Sequence, residues 1–228
     1  MQQYTDWYEG PDKKIVSITD HNTSQQIQIA QYGDAVQGTE KELNNERFIP
    51  SKFCRGSFTS EQYMFANSSY NYAVNIATNS LAQAGRKAGM FFPEINGING
   101  LSLAVGDKIQ IVSKNFEDLA YYKPTTTVEN NGHFIALMVA EGYDYHWCRC
   151  DVPYSGREES IYDKWSYKYS SMQVANYDFE GKEIRDPSRA NWVMKYITSP
   201  SPDLPGAESE IEYKFFCFMY VPSGSDII

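Results

Sequence analysis

The chain of 228 residues, 42% hydrophobic, 15% aromatic and 21% charged, has a globular composition and is long enough to bury roughly 70–75% of its unfolded surface without disulfide or metal staples. Its 20 basic and 29 acidic residues sum to −9 with no lysine/arginine block, which excludes nucleic-acid binding through bulk charge. No window offers the roughly 18 apolar residues of a membrane helix, and the polar start Met1-Gln2-Gln3-Tyr4-Thr5-Asp6 lacks the basic and apolar regions of a secretory leader. The expected location is therefore the cytoplasm, or outside the cell by a route that needs no cleavable leader, with no membrane partner.

In chain order, Lys14-Ile15-Val16-Ser17-Ile18 and Gln26-Ile27-Gln28-Ile29 alternate with the period of half-buried strands, and Asp20, Asn22 and Gly33-Asp34 supply turn chemistry. Gly38–Phe48 is charged and reads as a loop. Residues 1–58 are expected to form a β and loop extension of a single domain spanning 1–228, with its core in 59–222. From Ser69 to Gln83 the residues Ala73, Ile76, Ala77, Leu81 and Ala84 recur at three- and four-residue steps. With the N-cap candidates Asn67, Ser68 and Ser69 ahead of them, they predict a helix that Gly85 ends.

Residues 90–130 read as repeated turns, with Gly97 and Gly100, around one strand, Lys108–Val112, introduced by Val105-Gly106-Asp107. The apolar run His133–Ala140 is short enough to be a buried strand. Glu141-Gly142 turns it into Tyr143–Cys150, a second antiparallel strand. Beyond residue 155 the chain is polar and tyrosine-rich until Pro200, Pro202 and Pro205, followed by a last strand, Tyr213–Val221. The order of strand, helix and then a run of strands predicts an α+β domain.

Cys54, Cys148, Cys150 and Cys217 are too few and too scattered for a disulfide framework. With His21, His133 and His146 as the three histidines, no metal site is expected. No phosphate-binding glycine loop or dinucleotide fingerprint is present, so no cofactor is expected. The 18 tyrosines fit either a polymer-binding groove or a β-rich fold in which tyrosine straddles core and water.

Chemistry would need three groups together. Ser69 stands where the helix begins, and a helix N-terminus favours an anionic nucleophile or an oxyanion. His133 opens the buried strand and is the candidate general base. His146 on the partner strand, with Asp144 as substitute, is the candidate orienting group, although the two histidines meet only if the hairpin register is bent or bulged. Cys54, among basic neighbours, is the alternative nucleophile. Taken singly, Ser69 reads first as a simple N-cap and the histidines first as satisfied core or surface residues.

The segments Ser69-Tyr70-Asn71-Tyr72-Ala73-Val74-Asn75, Ala82-Gln83-Ala84-Gly85-Arg86, Val105-Gly106-Asp107, Gly132-His133, Asp144-Tyr145-His146-Trp147 and Gly181-Lys182-Glu183-Ile184-Arg185-Asp186-Pro187 resemble papain-like proteins, more loosely the NlpC and CHAP classes of cell-wall hydrolase, over roughly residues 60–222. The resemblance implies a papain-like core and a thiol hydrolase of amide bonds in a peptide, protein or peptidoglycan stem. It wants cysteine just before Tyr70, where this chain has Ser69. A hydroxyl does not ionise near neutral pH as a thiol does beside a helix N-terminus, so the chain is either an inactivated Cys-to-Ser form or a natural variant whose chemistry has changed. The competing reading is a non-catalytic β-rich structural or recognition protein, such as a virion component or a glycan-binding module.

Overall fold

The regular structure of the described residues is mainly antiparallel strand. The computed structural model describes residues 13–19, 26–32, 58, 64–125, 132–158, 160–169, 174–198, 207–223 and 225–228. The strands are β1 (Lys13–Thr19), β2 (Gln26–Tyr32), β3 (Gln110–Ser113), β4 (His133–Ala140), β5 (Asp144–Cys150), β6 (Trp165–Lys168), β7 (Val174–Ala175), β8 (Val193–Thr198), β9 (Ala207–Glu212) and β10 (Lys214–Val221). Among the described residues, α-helices α1 (Ser69–Val74) and α2 (Gly97–Gly106) and a 3-10 helix over Phe116–Tyr121 accompany them. The strands form a four-stranded sheet, β1-β2-β8-β9, and a six-stranded sheet, β3-β10-β4-β5-β6-β7, with antiparallel pairing throughout.

β4 organises the molecule because all eight of its residues are buried, so both faces of its sheet are covered. Ile135, Leu137 and Val139 belong to the core under the two helices, with Trp147, Met219 and Leu103. Phe134, Ala136, Met138 and Ala140 point the other way, into a core shared with Ile27, Met194 and Ile211 of the four-stranded sheet. Tyrosine fills much of that second core: Phe134 packs against Tyr122, Tyr154, Tyr162 and Tyr220 at centroid separations of 4.8–5.8 Å.

This architecture corrects the expected α+β papain-like core. Two short helices lie against a predominantly β molecule, in place of one long helix carrying a sheet. The helix expected to run from Ser69 to Gln83 stops at Val74, where Asn75 turns into the left-handed region at φ 61. The apolar periodicity beyond it belongs to a folded-back segment tied by side chains. Asn71 donates to the carbonyl of Ile76 (2.9 Å) and to Thr78 Oγ1 (2.9 Å), and its Oδ1 accepts from the amide of Ala82 (2.9 Å).

β2, from the segment expected as an extension, pairs with β8 from the far end of the chain. One further expectation changes: the segment with Gly97 and Gly100, read as turns, is helix α2. A Cβ on Gly97 would strike the ring of Phe216, and one on Gly100 would come within 2.7 Å of the ring of Tyr145. These glycines therefore let a helix lie close on a sheet.

Candidate functional site

Ser69 lies in the first turn of α1, and the cap is its neighbour Ser68. Ser68 Oγ accepts from the Asn71 amide, and Asn71 Oδ1 accepts from the Ser68 amide at 2.9 Å. This reciprocal box satisfies helix-terminal donors internally. Ser68 Oγ also donates to the carbonyl of Ala82 at 2.7 Å, which fastens the helix start to the folded-back segment.

His133 opens β4 on the helix side and is fully buried. Its Nε2 lies 2.7 Å from the carbonyl oxygen of Ala73. A carbonyl only accepts, so Nε2 carries the proton. Ala73 is four residues along the helix from Ser69, about 6 Å at 1.5 Å per residue, so the imidazole is bonded at the far turn of α1. Burial pulls the His133 pKa down to about 3; the Ala73 carbonyl raises it and the positive charge of Arg149 lowers it further.

The structure does not bring His146 to His133. The β4–β5 register is regular, with Ile135 opposite Arg149, Met138 opposite His146 and Ala140 opposite Asp144, so the bend or bulge that proximity required is absent from this hairpin. His146 shares the face of Met138 and His133 that of Ile135, which puts them on opposite faces of one sheet. Five residues along β4 also separate His133 from Met138, roughly 17 Å at 3.4 Å per residue.

The His146 ring is enclosed by Tyr167, Tyr169, Trp192 and Tyr213 at 5.1–5.6 Å, and burial lowers its pKa to about 3. Asp144, the substitute, sits at the hairpin end, where its Oδ2 accepts from Tyr213 at 3.3 Å. Cys54 lies outside the described residues. Cys148, Cys150 and Cys217 are buried thiols, and burial raises the pKa of each.

The polar residues that do gather beneath α1 were not singled out from sequence. Arg149, on the face of His133, donates from Nη1 to Asn75 Oδ1 at 2.8 Å, from Nη2 to the Tyr72 hydroxyl at 2.9 Å and from Nε to Asp151 at 3.3 Å. Its guanidinium also lies 4.1 Å from the Tyr72 ring centroid. The Tyr72 hydroxyl in turn meets Ser166 Oγ at 2.6 Å. Lys168 donates to the carbonyls of Met64 and Asn67 at 2.6 and 2.7 Å, and burial lowers its pKa to about 7. Strand alternation in Cys148-Arg149-Cys150 places Arg149 on the face opposite the cysteines, and the helices covering that face are what bury it.

Asp107 gives the Gly-Asp segment its structural use. Its Oδ2 accepts from the Tyr70 hydroxyl and from the Gly85 amide, both at 2.7 Å, joining α1, the Gly85 turn and the end of α2. Among the described residues no group of three or more histidine, cysteine or acidic side chains is placed to hold a metal ion, and no helix is long and apolar enough to cross a membrane.

The fold and this region together define a class: a two-sheet β protein whose buried charged and amide side chains clamp a short helix to its main sheet. The chain belongs to the family of the "Insoluble matrix shell protein 1" of Ruditapes philippinarum, with 33% identity over 125 residues that cover 55% of this chain and 70% of that protein. No protein-family model matches the sequence, and no solved structure matches it.

Proposed function

We propose that this chain is a non-catalytic structural protein of an insoluble matrix outside the cell. The observation that carries the reading is His133: its Nε2 proton is committed to the Ala73 carbonyl at 2.7 Å, and its pKa of about 3 makes it a poor proton acceptor near neutrality. A general base needs a pKa near the working pH. Around it, Asn71, Tyr72 and Arg149 serve as structural ties, and position 69 offers a hydroxyl in place of a thiol. The name of the shell-matrix relative supports the same reading.

Two measurements test it. Extraction of the source tissue with chelator and then denaturant, followed by immunoblotting, should find the chain in the residue that resists non-denaturing extraction; recovery wholly in the first soluble extract would overturn the matrix role. The Ser69→Cys variant, titrated with an alkylating reagent, should show a thiol pKa near the free value of about 8.5. A strongly depressed value that returns to normal with His133→Ala added would restore a thiolate–imidazole pair and overturn the non-catalytic assignment.

A further inference from the structure

In the four-stranded sheet, β1 and β9 are the outer strands, and among the described residues no strand pairs with the outer side of either. Its three junctions are antiparallel, so with four strands β1 and β9 run in opposite directions. A second copy moved sideways by one sheet width, without turning over, would present its β1 antiparallel to the β9 of the first. The sheet can thus continue from copy to copy with its pairing pattern intact.

The two edges differ in charge. β9 is Ala-Glu-Ser-Glu-Ile-Glu: Glu208, Glu210 and Glu212 are exposed on one face, and Ile211 is buried on the other. β1 is Lys-Lys-Ile-Val-Ser-Ile-Thr, with Lys13 and Lys14 and no acidic residue within the strand. The cross-strand register Glu208–Ile197, Ile197–Gln28 and Gln28–Ser17 puts Glu208 of β9 and Ser17 of β1 in one row across the sheet, so the acidic strand and the lysine-bearing strand run level with each other. Two β9 edges meeting symmetrically would set glutamate beside glutamate, whereas β9 beside β1 sets three acidic residues against a strand with two basic residues and no acidic one. Like charges on neighbouring strands oppose pairing and opposite charges favour it.

We propose that the β9 edge of one copy pairs with the β1 edge of a second copy of this chain, extending the four-stranded sheet head to tail. Such a contact joins two different surfaces, and because it does not close on itself it grows into an open chain of subunits. The inference rests on the matrix reading in supposing that assembly is useful, and it supplies that reading with a route to insolubility.

Sedimentation velocity across protein and salt concentration tests it with two charge-reversed proteins, one carrying Glu208→Lys, Glu210→Lys and Glu212→Lys, the other Lys13→Glu and Lys14→Glu. Native protein should grow past the dimer as concentration rises and shrink as salt screens the edges. Each variant alone, carrying two edges of like charge, should stay monomeric with native circular dichroism. A 1:1 mixture should again form long species, because each variant then supplies the edge the other needs. That restoration separates edge pairing from a folding defect.

Native protein that stays monomeric at every concentration, or stops at a dimer indifferent to the reversals, overturns the proposal. So does association that vanishes with a chelator, which would put a divalent cation between the edges. A monomer recovered in the insoluble matrix would sink the edge contact and leave the matrix role standing. Head-to-tail growth of a chain found only in soluble extracts would do the reverse.

Discussion

At the scale of single residues, the decisive feature is how polar side chains are used beneath α1. Asn71 employs both its amide hydrogens and its carbonyl oxygen, reaching the Ser68 and Ala82 amides, the Ile76 carbonyl and Thr78. Arg149, nearly inaccessible to solvent, spreads its donors over Asn75, Tyr72 and Asp151. Removing one member of a buried charged network leaves its partners without donors and costs about 3–5 kcal/mol. Arg149→Met is therefore expected to lose stability of that order in urea unfolding, even though methionine fills much of the same space. Asn71→Ala is expected to cost about 2 kcal/mol, because it strands backbone groups that water does not reach. A loss below half a kilocalorie in either variant would show that these bonds are not what holds the helix in place.

At the scale of elements, position in the fold decides what a glycine or a bulge is for. The β4–β10 register shifts between Phe215 and Cys217. The extra residue lets Phe216 and Cys217 both join the core on the helix side, while Phe215 and Phe218 pack on the other. Phe216 then fills the space that Gly97 leaves open. Alanine is about 1 kcal/mol better than glycine inside a helix, yet overlap with a packed ring costs about 1–3 kcal/mol. Gly97→Ala should thus be net destabilising, and Phe216→Ala in the same protein should recover part of the loss. Fully additive effects in that double-mutant cycle would mean the two sites do not touch. The Gly85 turn is different in kind: its φ of 75 and the approach of Leu103 to a would-be Cβ both require glycine.

At the scale of the whole molecule, burial sets the pH range of stability. His133 and His146 have pKa values lowered to about 3, against about 6.5 when unfolded. Their neutral forms favour the fold, so this stability is present above pH 6.5 and is lost as pH falls from there through 3. Tyr122 and Tyr220 are raised to about 12, and Tyr70 and Tyr213 are also raised, with burial the largest cause in each. The stability from Tyr122 and Tyr220 is full below pH 10 and is lost as pH rises through about 12, and that from Tyr70 and Tyr213 is likewise lost on the alkaline side. Lys168, lowered by burial to about 7 against about 10.4 when unfolded, adds stability that grows as pH rises from 7, so melting temperature should climb through neutral pH to a maximum near pH 10 and fall beyond it. His146→Phe should flatten part of the acid limb; an unchanged limb would show that other groups control it.

Taken alone, the sequence determined the elements that are local and strongly periodic: β4, the hairpin into β5, the last strand, and the alternating segments that became β1 and β2. It also held every residue of the buried cluster, but alternation fixes only that Arg149 faces away from Cys148 and Cys150, not that it is buried. Tertiary structure decided the rest. The apolar steps from Ala73 to Ala84 fit a helix, but Asn71 and Arg149 hold a left-handed turn at Asn75 and end it early. β9 carries three glutamates and lacks a strand's usual composition, so it exists because β8 offers it backbone partners. Whether two histidines thirteen residues apart meet depends on register and pleat, which are set by pairing across the sheet. Here those place the rings on opposite faces, one bonded to a helix carbonyl and the other enclosed by aromatic rings.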